Sequence, residues 1–248
     1  MPTWLIILVT ATASYLLSLI VRGLTSKEKK LQYGVEHLFP VANEQFLRSM
    51  ESVLPPATLG GNKITALING DGYFPAMLEA ISSAKHTITF ETFIYWQGEI
   101  GRRFAEVLCE RARAGVKVHI LLDWLGSKKL DQDSIQKMKD AGVEVERYHP
   151  LRWYNLRRMN NRTHRKLLVV DGKIGFTGGV GIADVWTGNA QDPEHWRDSH
   201  FKIEGPVVAQ CQAAFMDNWL KTRSHVLFGD GASPPRRGRA ATSSLARG

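Results

Sequence analysis

At 248 residues, with 44% of them hydrophobic, the chain can bury an ordinary core and is too apolar to be a disordered protein. Lysine and arginine number 32 against 24 acids, and the excess of +8 favours anionic partners, whether phosphate, nucleic acid or an acidic lipid surface. Two distant cysteines, Cys109 and Cys211, exclude a disulfide framework and a zinc ribbon, and the histidines form no HExxH; neither a metal nor a cofactor is expected.

From Trp4 to Val21 the chain carries 18 residues without a charge. As a helix this run spans about 27 Å, close to the hydrocarbon core of a bilayer. A signal peptide has a positive charge before its apolar run and small residues after it; here no charge precedes the run and Arg22 follows it, so residues 1–22 read as a transmembrane anchor. Arg22, Lys27, Lys29 and Lys30 then place the following domain on the cytoplasmic side of a single span.

Residues 23–62 form a connector broken by Pro55-Pro56 and Gly60-Gly61. Beyond it, strands are expected at Ile64–Ile68, Thr87–Tyr95, Val116–Leu122 and Val143–Arg147. Helices are expected between them at Tyr73–Ala84, Ile100–Ala114 and Asp131–Ala141, the last two stopped by Gly115 and Gly142. Cys109 falls on the apolar side of its helix and reads as core. Strands Lys166–Val170 and Lys173–Thr177 flank Asp171-Gly172, a strong hairpin signal. A strand at His200–Ile203 leads into a helix from Val207 to Thr222. The alternation implies an α/β fold with a mixed, largely parallel sheet flanked by helices on both faces, over residues 63–228. Residues 229–248, with one leucine and no aromatic residue, are expected to be a disordered basic tail.

Chemistry concentrates in THRKLLVVDGKIGFTGG, residues 163–179. On a strand His164 and Lys166 point to the same face. An imidazole can attack phosphorus while a neighbouring ammonium neutralises the charge that builds on the non-bridging oxygens. Gly178 and Gly179 would let backbone N–H groups approach a phosphate closely. A solvated strand edge carries the same residue types, so these residues alone leave both readings open.

The segment resembles the HxKxxxxD motif of the phospholipase D superfamily, with the usual six residues between Asp171 and the small pair. Residues 88–96 (ITFETFIYW), 116–127 (VKVHILLDWLGS), 165–184 and 196–208 (WRDSHFKIEGPVV) extend the likeness to the N-terminal half of bacterial cardiolipin synthases. The resemblance implies a metal-free phosphatidyl transfer through a phosphohistidine at the bacterial inner membrane, on an anionic glycerophospholipid such as phosphatidylglycerol. It makes His164 the nucleophile or the general acid and base, Lys166 the holder of phosphate oxygens, and Asp171 a support for the motif's charge and geometry. Asp198, in WRDSH, is the candidate acceptor for the second nitrogen of the imidazole, with Glu91 as the next. A surface salt bridge is the competing reading of Asp198. Residues 149–166 carry six Arg or Lys and no acid, with Trp153 and Tyr154 among them. This stretch suits a membrane interface, a nucleic-acid groove or a solvated loop, and Arg162 and Arg165 are its candidate substrate-lining cations.

Two departures stand out. Where the family pattern has Asn, three positions after Gly178, this chain has Gly181. A complete site also needs two motifs, and His200-Phe201-Lys202 only opens like a second one, since Val207 stands at its Asp position. Either two copies meet in a homodimer or the chain is the front half of a longer enzyme. Phosphatidyl transfer therefore leads; a dimeric phosphodiesterase or nuclease of the same superfamily, with nucleic acid as partner, and an inactive half-site that binds anionic lipid are the alternatives.

Overall fold

Apolar side chains alternate in 87–92 and run continuously in 120–122 and 167–170, as in strands buried on both faces, and recur at helical spacing between them, which favours strands and crossover helices. The computed structural model describes residues 2–25, 39–53, 58–150, 161–224 and 226–227. Lys27, Lys29, Lys30, Pro55-Pro56, Trp153, Tyr154 and the tail from 229 lie outside the described residues. In chain order the elements are α1 (Thr3–Thr25), α2 (Glu44–Val53), β1 (Lys63–Ile68), α3 (Asn69–Ser82), β2 (Thr87–Thr92), α4 (Glu99–Arg113) and β3 (Lys117–Asp123). They continue as α5 (Gln132–Asp140), β4 (Glu144–Tyr148), β5 (Leu167–Val170), β6 (Ile174–Gly178), a 3-10 turn (Asp184–Trp186), β7 (Ser199–Glu204) and α6 (Val208–Arg223).

Two units are distinguished, Met1–Thr58 with His149–Thr163, and Leu59–Tyr148 with His164–Gly248. The first holds α1, which is long and apolar enough over Thr3–Arg22 to cross a membrane, with Trp4, Ile7 and Leu17 exposed.

The second unit is built on a seven-stranded mixed sheet in the order β1-β7-β6-β5-β2-β3-β4. The α/β class is the expected one. Parallel pairing is confined to β2-β3 and β3-β4, where α4 and α5 make the crossovers; the other four pairs are antiparallel. Proximity in sequence accounts for β5-β6, whose three-residue loop puts Asp171 at φ 51° and Gly172 at φ 61° and has the Lys173 N–H donating to the Val170 carbonyl at 3.0 Å. The placing of β5 beside β2 is a long-range choice that periodicity does not reveal.

Both faces of the sheet are covered. Ile88, Phe90, Ile120, Leu122, Leu168 and Val170 pack under α3, α4 and α5, in a core that includes Phe104 and Leu108. On the other face Leu121, Leu167 and Val169 meet Phe215 and Trp219 of α6. Cys109 is buried in the first core, as its helical position requires. β2 ends three residues before the expected Tyr95. There the chain leaves the sheet, and Ile94 and Trp96 instead exchange backbone hydrogen bonds with Ile182, at 2.9 and 2.8 Å. Because β2 and β3 are parallel and β5 is antiparallel to β2, the loops after β2, β3 and β6 and the residues before β5 all emerge at one end of the sheet.

Candidate active site

The residues entering β5 carry the reactive groups. His164 and Lys166 lie on one face, as alternation requires, and the Lys166 ammonium sits 3.2 Å from Nδ1 and 3.3 Å from Nε2 of His164, while donating to the His164 carbonyl at 3.0 Å. Phe93, just beyond β2, fixes both: its ring centroid is 4.9 Å from that of the imidazole and 5.6 Å from Lys166 Nζ. Lys166 is buried, whereas His164 is open to solvent. Packing, and next the Lys166 ammonium, push the imidazole's pKa below its ordinary value, against the pull of the Asp123 charge. Burial likewise lowers the Lys166 pKa, and the Asp198 charge opposes it. The outcome is a neutral imidazole beside a cation, which suits attack on an anionic phosphorus centre.

Asp198, by its charge, favours the ammonium of Lys166. Its Oδ1 accepts from the Ser199 N–H at 2.7 Å, and its charge is felt by Lys166 and by the buried Tyr73, whose pKa is raised by burial first and by Asp198 next. Among the described residues no hydrogen bond joins Asp198 to His164, so the expected hold on the second ring nitrogen is not the one observed. Two reciprocal bonds seat Asp198: Asn69 N–H donates to its carbonyl at 3.0 Å, and its own N–H donates to Asn69 Oδ1 at 3.2 Å. Asn69, with φ at 55°, adopts a left-handed conformation to do this.

The carboxylate that acts on the imidazole is Asp123, at the C-terminal end of β3. It is fully buried and accepts from the N–H groups of Leu125 and Gly126 at 2.9 and 3.1 Å. Sequence reasoning passed over it, although the end of a parallel strand in an α/β sheet is where ligand-facing groups collect.

Asp171 is elsewhere. It ends β5 at the opposite end of the sheet, where its carboxylate accepts from the N–H groups of Lys85 (2.9 Å), His86 (2.8 Å) and Thr87 (2.8 Å). Burial pushes this carboxyl up, but the donors of Thr87, Lys85 and His86, with the charge of His86, outweigh it and hold the pKa below the usual range. The carboxylate placed for support of the motif's charges and geometry thus clamps the start of β2.

The glycine pair is closely packed by side chains. A Cβ on Gly178 would stand 2.6 Å from Nδ1 of His200, and one on Gly179 would strike the Asp198 carboxylate. The Gly179 N–H donates to Ser199 O at 3.3 Å. Small residues here make room for His200 and Asp198. His200, which opens the incomplete second motif, is 1% exposed, neither ring nitrogen has a hydrogen-bond partner among the described residues, and burial, followed by the Lys166 charge, pushes its pKa down to about 4.

Of the remaining candidates, Glu91 is fully buried on the α6 face, accepting from Asn218 Nδ2 at 2.7 Å. Arg165 also points to α6, donating to the Ala214 carbonyl at 2.6 Å and to Asp217 at 3.2 Å. Both lie across the sheet from His164, so neither lines the site with it. Arg162 belongs to the first unit, where it donates to the His149 carbonyl at 2.8 Å.

The sequence matches the family described as the cardiolipin synthase, phospholipase D-like domain over residues 77–219. The chain belongs to that family. Among curated relatives, cardiolipin synthase 1 of Bacillus cereus is 42% identical over 160 residues, which are 64% of this chain and 31% of the relative. Cardiolipin synthase A of Pseudomonas fluorescens is 37% identical over 175 residues, 70% of this chain and 36% of the relative. The chain therefore spans about a third of the length of these relatives. Two solved structures share the fold at 16% identity and a TM-score of 0.51. Nuc from Salmonella typhimurium, a phospholipase D family member, aligns over 66% of this chain and 97% of its own, and NucT from Helicobacter pylori over 68% and 100%. Gly181, where the resemblance led us to expect Asn, is closely packed. A Cβ there would lie 2.7 Å from Ile94 Cβ and 3.1 Å from the Trp186 ring, so the space beside it is already filled.

Proposed function

We propose that the chain is a membrane-anchored phosphatidyl-transferring domain in which His164 attacks the phosphorus of an anionic glycerophospholipid of the phosphatidylglycerol type. A nitrogen–phosphorus bond forms as the bond to the headgroup alcohol breaks, and that alcohol leaves with a proton. The hydroxyl of an acceptor then attacks phosphorus, giving up its proton as the histidine is released. Lys166 neutralises the non-bridging oxygens, and Asp198 keeps that ammonium charged and in place. One His–Lys pair cannot be nucleophile and general acid at once, so a second pair is required, from another copy of the chain or from another motif-bearing segment. α1 serves as the anchor, with the domain on the cytoplasmic side.

The Lys166–His164 pair carries this reading: a neutral imidazole is held 3.2 Å from a buried ammonium in a chain of the cardiolipin synthase family. The test is turnover of labelled phosphatidylglycerol by the full chain in vesicles, alone and with a second motif-bearing half added. Cardiolipin and free glycerol are the expected products, abolished by His164→Ala with thermal stability kept. Turnover by that variant within about tenfold of wild type, or cleavage of DNA without any turnover of lipid, would overturn it.

A further inference from the structure

The end of the sheet that carries His164 also carries an aromatic and cationic rim. Trp196, 48% exposed, packs edge-on against Trp186 with centroids 5.2 Å apart, and Trp186 lies 6.4 Å from Trp96. Trp96 reaches the loop after β3, donating from Nε1 to the Gly126 carbonyl at 3.0 Å. On that loop Leu125 is 46% exposed, Lys129 Nζ sits 3.8 Å over the Trp96 ring and Lys128 Nζ 4.3 Å over Trp124. Trp196 and Leu125 are thus linked through the buried Trp186 and the half-buried Trp96, with two exposed lysines held on the faces of Trp96 and Trp124. The rim is also wired to the reactive groups, because Asp123 accepts from the Leu125 and Gly126 N–H groups and Gly126 packs on Phe93, which cradles His164.

We infer that this rim is a docking surface for an anionic bilayer, an inference that rests on the lipid-substrate reading above. Exposed Leu and Trp cost free energy in water and gain it at the depth of the glycerol backbone, where tryptophan is enriched. Lysine heads beside them meet the headgroup phosphates, and their stems cover apolar surface on the way. The rim presents both at the mouth of the site, so lipid phosphate arrives beside Lys166 without the substrate having to leave the bilayer. Ile64, Ile68 and Phe201 form a second exposed apolar group, on β1 and β7, and supply the contrast.

Depth measurement tests this without requiring turnover, so its failure is read separately from failure of the chemistry. The full chain, with Cys109 and Cys211 replaced by alanine, is reconstituted in vesicles of phosphatidylglycerol and phosphatidylcholine. It bears an NBD fluorophore at Leu125→Cys, Trp196→Cys, Ile64→Cys or Gln136→Cys in turn. Spin-labelled lipids should quench the probes at 125 and 196 by about twofold or more and leave those at 64 and 136 unchanged. The unlabelled-surface variant Lys128→Gln/Lys129→Gln, checked for an unaltered melt, should weaken quenching at 125. Probes at 125 and 196 that stay as unquenched as that at 136, or quenching at 64 alone, would overturn the assignment. So would burial of the 125 probe by added protein in the absence of lipid.

Discussion

Lys166 holds its ammonium 3.2 Å from Nδ1 of His164, and that cation, added to the packing around the ring, keeps the imidazole neutral. Activity should therefore rise through the acid range to a plateau that starts below the ordinary imidazole value. Lys166→Met removes the charge, so the imidazole pKa should move up and the acid limb with it, while the plateau falls by about a hundredfold or more through loss of transition-state compensation. Titrating the His164 C2 proton by NMR in both proteins checks the sign; a limb that does not move would detach the lysine from the histidine.

Asp123 acts on the same ring with the opposite sign, because its negative charge favours the imidazolium. In Asp123→Asn the amide oxygen can still accept from the Leu125 and Gly126 N–H groups, so the loop should hold while the charge disappears. The His164 pKa should fall further, and turnover should drop more than the melting temperature does. If the NMR titration of His164 is unchanged, the carboxylate is a loop anchor alone.

Asp171 is expected to behave as a structural residue despite its place in the motif. Five residues of extended chain from Lys166 amount to about 16 Å, and three backbone N–H donors occupy the carboxylate there. Asp171→Ala should cost about 2 kcal/mol or more in stability, because it strands those donors at the start of β2. Its folded fraction should turn over lipid normally. Loss of turnover with an unchanged denaturation midpoint would return Asp171 to the chemistry.

Local signals are legible in the sequence because they act locally. Gly115 and Gly142 end α4 and α5 at φ 91° and 94°, and Asp131 caps α5 by accepting from the Ser134 N–H at 2.7 Å. The hairpin at Asp171-Gly172 and the shared face of His164 and Lys166 follow from a period of two. What escaped depends on chain segments far apart in sequence. The charge of Asp198 acts on Lys166 because β7 pairs with β6 and Asn69 seats the Asp198 backbone; Asp123 enters only once β3 lies beside β2. Arg165 looked like a substrate cation, and only the position of α6 across the sheet shows that it is tied to Ala214 and Asp217.

His200 gives stability a pH dependence of its own. Folding lowers its pKa from 6.5 to about 4. Between those values the unfolded chain binds a proton that the folded chain does not, so stability rises with pH through that window and is fully present above 6.5. Acidification from 6.5 to 4 should cost about 3 kcal/mol from this group. His200→Asn, which keeps a small polar side chain without the titration, should flatten that part of a urea-denaturation series; an identical slope in the two proteins would refute the assignment.

Gly181 stands where the resemblance to the family led us to expect Asn, and introducing that side chain should fail for a packing reason. A Cβ at this position would lie 2.7 Å from Cβ and 3.1 Å from Cγ2 of Ile94, with the Trp186 ring 3.1 Å away on the other side. Gly181→Asn must therefore displace backbone after β2 or tilt the indole, at about 1–3 kcal/mol. Ile94→Ala retains the offending Cβ and should not help, whereas Ile94→Gly removes it. The double variant Gly181→Asn/Ile94→Gly should be more stable than the sum of its single changes by about 1 kcal/mol, the coupling expected of residues in direct contact. Ile94 also accepts the Ile182 N–H that ties the β2 loop to the segment after Gly181, so strain there reaches Phe93 and the imidazole it supports. The single variant should accordingly lose turnover along with stability, and Ile94→Gly should recover part of both. Additive stabilities in the cycle would mean that the loop yields without cost and that the glycine is not required by its neighbour.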